Sequence, residues 1–184
     1  MEPKIVETGQ MLLVGLGFYG DPFSLSAGWT EENEIGRLWK RFISLLAQHH
    51  GRIKHAKGEQ IGYELQVYHE DTPSTGEFEV FVGIEVDDLE DLPLELAVKI
   101  LPPVTYAVFT LAGDQIGADY YLKIAAEWLP QAGYQSNYRY SLQRYDERFK
   151  GIDNLAESVI EVYIPVQSEL PDSGAGELSE KSVV

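Results

Sequence analysis

The spacing of apolar residues changes along the first half of the chain, which predicts a strand, a helix and then two strands. Segment 11–18 is short and apolar and is closed by Gly-Asp-Pro, as expected of a strand. Between Thr30 and Gly51 apolar residues recur every three or four positions, which predicts an amphipathic helix with Thr30 as its N-cap. Segments 63–69 and 78–86 flank a turn-rich loop and predict a hairpin.

The second half of the chain repeats this order after one additional short strand, so each half contains β-α-β-β. Its predicted elements are strands at 98–101 and 106–111, a helix that Asp114 begins and Pro130 ends, and strands at 138–145 and 159–166. Hairpins without parallel crossovers are typical of an α+β fold. We therefore expect a duplicated β-α-β-β unit with a largely antiparallel sheet and two helices.

Length and charge limit the possible architectures and partners. The 184 residues predict one domain over 1–167, followed by a disordered acidic tail over 168–184. The net charge of -16 argues against direct binding of nucleic acid or anionic membranes. The absence of Cys excludes disulfides and thiolate sites, and no signal peptide or spanning segment is recognisable. We expect an acidic, soluble, cytoplasmic protein.

Seven short blocks, taken together in their order and spacing, resemble the GyrI-like small-molecule-binding family, also called the AraC-type effector-binding domain. The blocks are VGLG at 14–17, LWKRF at 38–42, FVGIEV at 81–86, YAVFTLAG at 106–113, EWLPQAGY at 127–134, YDERF at 145–149 and VYIPV at 162–166. The resemblance implies a curved antiparallel sheet with a central cleft for bulky, apolar and often cationic compounds. Because too few residues remain for a helix-turn-helix module, we expect the stand-alone form of this domain.

The resemblance also implies a cleft glutamate two residues before the Tyr of the YDERF block, where this chain has Gln143. A buried carboxylate could anchor a cation or act as a base, whereas an amide has neither charge nor basicity. Gln143 therefore argues against an enzyme. The alternative is that Gln143 has no role in the cleft and is an ordinary polar residue inside a strand. Glu85 could replace the missing carboxylate, as the catalytic acid if the chain is an enzyme, or it could belong to the acidic surface.

Aromatic side chains are the other candidates for the cleft, since ligand pockets are mostly apolar and cationic rings stack on Trp and Tyr. The alternative for each of them is ordinary core packing. Tyr145 shares a strand face with Gln143 by the period of two. The predicted ligand-binding residues are Trp39, Tyr68, Phe81, Glu85, Tyr106, Gln143 and Tyr145.

We expect no metal and no cofactor. Adjacent His49 and His50 cannot face one ion from a helix, and GLG at 15–17 lacks the third glycine of a dinucleotide loop. Segment 77–95 carries eight acids and no Lys or Arg, which could steer cations, bind a basic protein partner or serve solubility.

Three functions stay open at this point, and the sequence leaves the oligomeric state undefined. The first is multidrug-type binding of a bulky aromatic or amphiphilic compound, which could be cationic. The second, suggested by the resemblance, is hydrolysis of cyclopropane-type genotoxins. The third is a gyrase-inhibitor-like protein-interaction module.

Overall fold

The computed structural model describes residues 2–49, 51, 53–58, 60–117, 127–136 and 138–168. Within them, nine strands form one antiparallel sheet. The strands are β1 (Lys4–Thr8), β2 (Met11–Gly20), β3 (Gly62–Val67), β4 (Phe78–Val86), β5 (Ala97–Leu101), β6 (Val104–Ala112), β7 (Tyr134–Gln135), β8 (Tyr140–Tyr145) and β9 (Val159–Ser168). The predicted α+β class is confirmed.

The described helices are one long helix and several short ones. They are α1 (Glu34–Gln48), α2 (Thr72–Thr75), α3 (Asp114–Gly117) and α4 (Leu129–Gln131), with a 3₁₀ helix at Ile152–Glu157. The predicted helix from Asp114 to Pro130 therefore begins as expected, but its middle, 118–126, lies outside the described residues. The predicted tail is also outside them from residue 169 onwards.

The sheet order is β1-β6-β9-β8-β3-β4-β2-β5, with β7 paired to β9. The first half of the chain contributes β2, β3 and β4, and the second half contributes β6, β8 and β9. Outward from the central β3–β8 pair, the order is β3, β4, β2 on one side and β8, β9, β6 on the other. The two outer strands cross between the halves. Strand β1, from the first half, pairs with β6 of the second half, and β5, from the second half, pairs with β2 of the first. This arrangement agrees with the predicted duplication and ties the halves together.

Both faces of the sheet carry apolar cores, because the sheet curls. On one face, Leu38 and Phe42 of α1 pack against Phe78, Val80 and Val82 of β4. The residues of the opposite face form a second core without a covering helix among the described residues; they include Leu13, Leu65, Phe81, Leu101 and Leu142. Strands that are not neighbours in the sheet meet in this second core, so the sheet encloses it.

The first helix begins later than its sequence predicted. Asn33, not Thr30, is the N-cap, and its side-chain Oδ1 accepts a hydrogen bond from the Gly36 N–H at 2.8 Å. Asn33 also donates to the carbonyl of Gly28 at 2.7 Å, which fixes the preceding loop. Thr30 instead accepts from the N–H of Glu32 within that loop. Both residue types are good N-caps, and Asn33 caps the helix while its second bond holds the preceding loop.

Candidate functional site

A large open cleft of about 2150 Å³ lies on the helix-bearing face of the sheet. Drug-sized ligands occupy pockets of roughly 300–1,000 Å³, so this cleft has room for a bulky compound. The central strands β3 and β8 form its floor. Because side chains alternate across a strand, the floor consists of Gly62, Glu64 and Gln66 of β3 and Ser141, Gln143 and Tyr145 of β8.

Glu64 lies at the centre of this floor and is 3% exposed. Its Oε2 accepts hydrogen bonds from the indole N–H of Trp39 at 2.9 Å and from the hydroxyl of Tyr145 at 3.3 Å. Its Oε1 accepts from Nε2 of Gln66 at 2.7 Å. The Gln66 carbonyl in turn accepts from the Tyr68 hydroxyl at 2.6 Å, which fixes the amide orientation.

The hydrogen-bond partners of Glu64 are mainly donors. Trp39 and Gln66 each donate an N–H to it, and the Tyr145 hydroxyl shares its one proton between Glu64 and Gln143. Burial raises the pKa of Glu64, while the hydrogen bonds from Trp39, Gln66 and Tyr145 oppose that rise. Within the part of the chain that the structure describes, no Lys, Arg or His forms an ion pair with Glu64. The ionised form of Glu64 therefore has no positive partner among the described residues at the bottom of the open cleft.

Aromatic rings surround this carboxyl group and form the walls of the cleft. The rings of Trp39 and Tyr145 meet edge to face with centroids 5.3 Å apart, and Tyr145 meets Phe149 in the same way at 5.0 Å. Trp29 lies within 6.4 Å of Tyr145, again measured between centroids. Such contacts hold the rings in fixed positions, so the apolar surface is formed in advance of any ligand.

Gly62 makes room for the ring of Trp39 on the floor. A Cβ atom at Gly62 would lie 2.9 Å from Cη2 of Trp39. The glycine thus allows the indole to lie flat enough over β3 for its N–H to reach Glu64.

Four of the predicted ligand-binding residues come together here: Trp39, Tyr68, Gln143 and Tyr145 all line the cleft. Gln143 lies directly opposite Glu64 in the β3–β8 register. A carboxyl group is therefore present on the floor, one strand away from the position at which the resemblance implied it.

The other three predicted residues lie elsewhere, and their placement at the cleft is corrected. Phe81 is fully buried on the opposite face of the sheet, because its position in β4 alternates with those that face α1. Tyr106 is fully buried as well, with its hydroxyl 2.9 Å from that of Tyr140. Glu85 is bound by Lys57 at 3.0 Å and by the hydroxyl of Tyr63 at 3.3 Å, away from the cleft lining.

Glu64 and Gln66 are the important residues that the sequence prediction missed. Their signal was present, because the alternation in 63–69 already placed them on one strand face with Tyr68. Phe149 and Trp29 were also missed, since both lie in loops where periodicity carries no information.

Three lysines pair with four of the eight acids of segment 77–95. Lys57 contacts Glu85 and Asp87, Lys54 contacts Asp91, and Lys99 contacts Glu79 at 2.6 Å. These lysines neutralise part of the negative charge of segment 77–95, which the sequence analysis considered as a binding surface for a basic protein partner.

Metal-ligand clusters and long apolar helices are both absent from the described ranges. No group of three His, Asp or Glu side chains there could hold a metal ion. Over the same residues, no helix has the length and apolar character needed to cross a membrane.

Comparison with known proteins gives one family and several solved structures. The sequence model of the Cass2 family, described as integron-associated effector binding protein, matches residues 4–166. No curated protein sequence matches the chain significantly.

The solved structures share the fold at low identity. The structure of SAV2435 bound to tetraphenylphosphonium is 15% identical, with a TM-score of 0.62 over 91% of this chain and 94% of that one. An integron cassette protein from the mobile metagenome of Vibrio cholerae is 17% identical, with a TM-score of 0.58 over 90% and 96%. The C-terminal domain of EcmrR is 16% identical, with a TM-score of 0.58 over 91% and 98%.

Proposed function

This chain belongs to the Cass2 family of integron-associated effector binding proteins, a GyrI-like family, and we propose that its effector is a bulky aromatic or amphiphilic cation. The cation lies over the floor of the cleft, with its charge near Glu64 and its apolar groups between the aromatic walls. Several different compounds of this class would fit, as in multidrug binding.

The unpaired carboxylate of Glu64 is the observation that carries this proposal. A buried charge is costly unless a partner compensates it. Trp39, Gln66 and Tyr145 supply hydrogen bonds but no positive charge. A cationic ligand supplies that charge, and the low dielectric of the site strengthens the attraction.

The walls of the cleft favour an aromatic or amphiphilic ligand over a small hydrated ion. Trp29, Trp39, Tyr145 and Phe149 present ring faces and edges around the carboxylate. A cation close to an aromatic face gains about 0.5–2 kcal/mol. The fold neighbour SAV2435, solved with tetraphenylphosphonium, supports the choice of that cation as the first probe.

Calorimetric titration with tetraphenylphosphonium tests the proposal. We expect saturable binding to the unmodified protein and an affinity about tenfold to a hundredfold weaker in Glu64→Gln, because one partner of a buried charge pair is lost. Glu85→Gln is the matched control, since that carboxylate is already paired with Lys57 away from the cleft, and its affinity should not change. Equal affinity in Glu64→Gln and the unmodified protein would contradict the proposal, as would no binding at all.

Hydrolysis of a cyclopropane-type electrophile is a second candidate, because the floor does hold a buried carboxyl group. In that case Glu64 takes the catalytic part first predicted for Glu85. Burial raises the pKa of Glu64, as a general base requires, and the hydrogen bonds from Trp39, Gln66 and Tyr145 oppose that rise. Product formed from a cyclopropane-containing genotoxin by the unmodified protein, and not by Glu64→Gln, would establish the enzyme instead.

A further inference from the structure

Two polar side chains beside Glu64 keep unused hydrogen-bonding capacity in the cleft. The Gln143 carbonyl accepts the Tyr145 hydroxyl at 2.7 Å, in a three-centre bond that shares the one hydroxyl proton with Glu64 at 3.3 Å. The NH₂ group of Gln143 has no acceptor among the described residues. Ser141 is 2% exposed, and its hydroxyl has no hydrogen-bond partner in the same part of the chain. Both residues line the open cleft.

The sheet register places these groups close to the carboxylate. Gln143 lies directly opposite Glu64. Ser141, two residues before Gln143 in β8, lies opposite Gln66. Directly opposed Cβ atoms are about 4.5–5.5 Å apart and diagonal neighbours are about 7–8 Å apart.

We propose that Gln143 and Ser141 form a neutral subsite that donates hydrogen bonds to a carbonyl oxygen of the ligand. The proposal rests on the proposed function, since the charge of the same ligand lies at Glu64. Preferred ligands are then cations that carry a carbonyl group a few bonds from the charge. A purely hydrocarbon cation displaces water from Gln143 and Ser141 without replacing its hydrogen bonds, which weakens binding.

Two matched probe ions test this subsite. One is a trimethylammonium ion joined by three methylene groups to a benzoyl group, and the other has a methylene group in place of the ketone. We expect the unmodified protein to bind the ketone ion about threefold to tenfold more tightly, the ratio that one net hydrogen bond supplies. Gln143→Met should remove this preference, because neither ion then loses or gains a hydrogen bond at that position.

Further variants separate the subsite from general effects. Ser141→Ala should reduce the preference and provides a second test if Gln143→Met does not fold, which its melting temperature reports. Glu64→Gln should weaken both ions equally and keep their ratio. Gln10→Met changes an exposed glutamine outside the cleft lining and should alter nothing.

The outcomes distinguish this subsite from the proposed function. Equal affinities of the unmodified protein for the two ions, or a preference kept in both Gln143→Met and Ser141→Ala, would overturn the subsite alone. Binding of tetraphenylphosphonium but of neither probe ion would also overturn the subsite alone. Failure of all three cations to bind would overturn the proposed function with it.

Discussion

The indole N–H of Trp39 donates a hydrogen bond to Oε2 of Glu64 over 2.9 Å, and this bond joins helix α1 to the floor of the cleft. Leu38 and Phe42 of the same helix are buried against β4, so the helix cannot easily shift away. The aromatic wall and the carboxylate are thus held at a fixed separation. Any ligand that uses both must match that separation.

Trp39→Phe keeps an aromatic ring but removes the donor to Glu64. Hydrogen bonds to charged groups contribute about 1.5–3 kcal/mol, so we expect a loss of unfolding free energy of that order. The pKa of Glu64 should rise further, because one of the bonds that oppose its rise is lost. Tetraphenylphosphonium should then bind several-fold more weakly near neutral pH, as measured by calorimetry.

Trp128→Phe is the matched control for Trp39→Phe, because the Trp128 ring packs on Phe109 and Tyr134 instead of on the cleft floor. It should leave the affinity for tetraphenylphosphonium unchanged. Equal losses of affinity in the two variants would show that the bond to Glu64 has no special part in binding.

Binding of a permanently charged cation should depend on pH through Glu64. Burial raises its pKa above the ordinary value of a glutamate, about 4.3. At a pH between the pKa of Glu64 in the unfolded chain and its raised pKa in the folded protein, the folded protein holds a proton that the unfolded chain has lost. The stability of the free protein therefore falls as pH rises through this window. The cation binds the ionised form, so its affinity increases over the same window and levels off above it.

Titrations with tetraphenylphosphonium from about pH 4.5 to about pH 8 check this linkage, and buffers of different ionisation enthalpy count the protons released on binding. In Glu64→Gln the affinity should be low and nearly independent of pH. A pH profile in Glu64→Gln that parallels that of the unmodified protein would assign the dependence to another group.

The alternation in 63–69 predicted which residues share a face, but not which face lines the cleft. Tyr63 and Leu65 look like the side that a helix covers, and Glu64 and Gln66 look like the solvent side. In the folded protein the curled sheet buries Tyr63 and Leu65 by itself, and the half-polar face lies under α1. When a curved sheet carries apolar cores on both faces, the apolar side of a strand no longer has to be the side that a helix covers.

Other elements were predictable only in part, for local reasons. The hairpin of β3 and β4 and the pair of β8 and β9 follow from strong alternation and turn residues. Strand β1 was missed because this edge strand, Lys4–Thr8, is short and largely exposed. The position of Phe81 was missed because β4 is apolar on both faces, so composition does not distinguish them.

Gly62→Ala should disturb the cleft without removing any polar group. The new Cβ would lie 2.9 Å from Cη2 of Trp39 and would push the indole away from Glu64. We expect a loss of about 1–3 kcal/mol in unfolding free energy, as for overpacked sites. The affinity for tetraphenylphosphonium should fall at the same time.

Gly9→Ala is the control for Gly62→Ala, since nothing lies within 4 Å of a Cβ at that position. Denaturant unfolding and calorimetry of both variants give the comparison. A Gly62→Ala protein with unchanged affinity would show that the indole position is not critical for the ligand.

Removal of single tyrosine hydroxyls should separate the cleft from the opposite core. Tyr145→Phe removes the bonds to Glu64 and Gln143, so we expect weaker binding of tetraphenylphosphonium together with some loss of stability. Tyr106→Phe breaks the bond to the Tyr140 hydroxyl and should cost about 0.5–1.5 kcal/mol of stability at unchanged affinity. Thermal unfolding and calorimetry of both variants measure the two effects. A clear loss of affinity in Tyr106→Phe would restore Tyr106 to the binding site, against its burial in the structure.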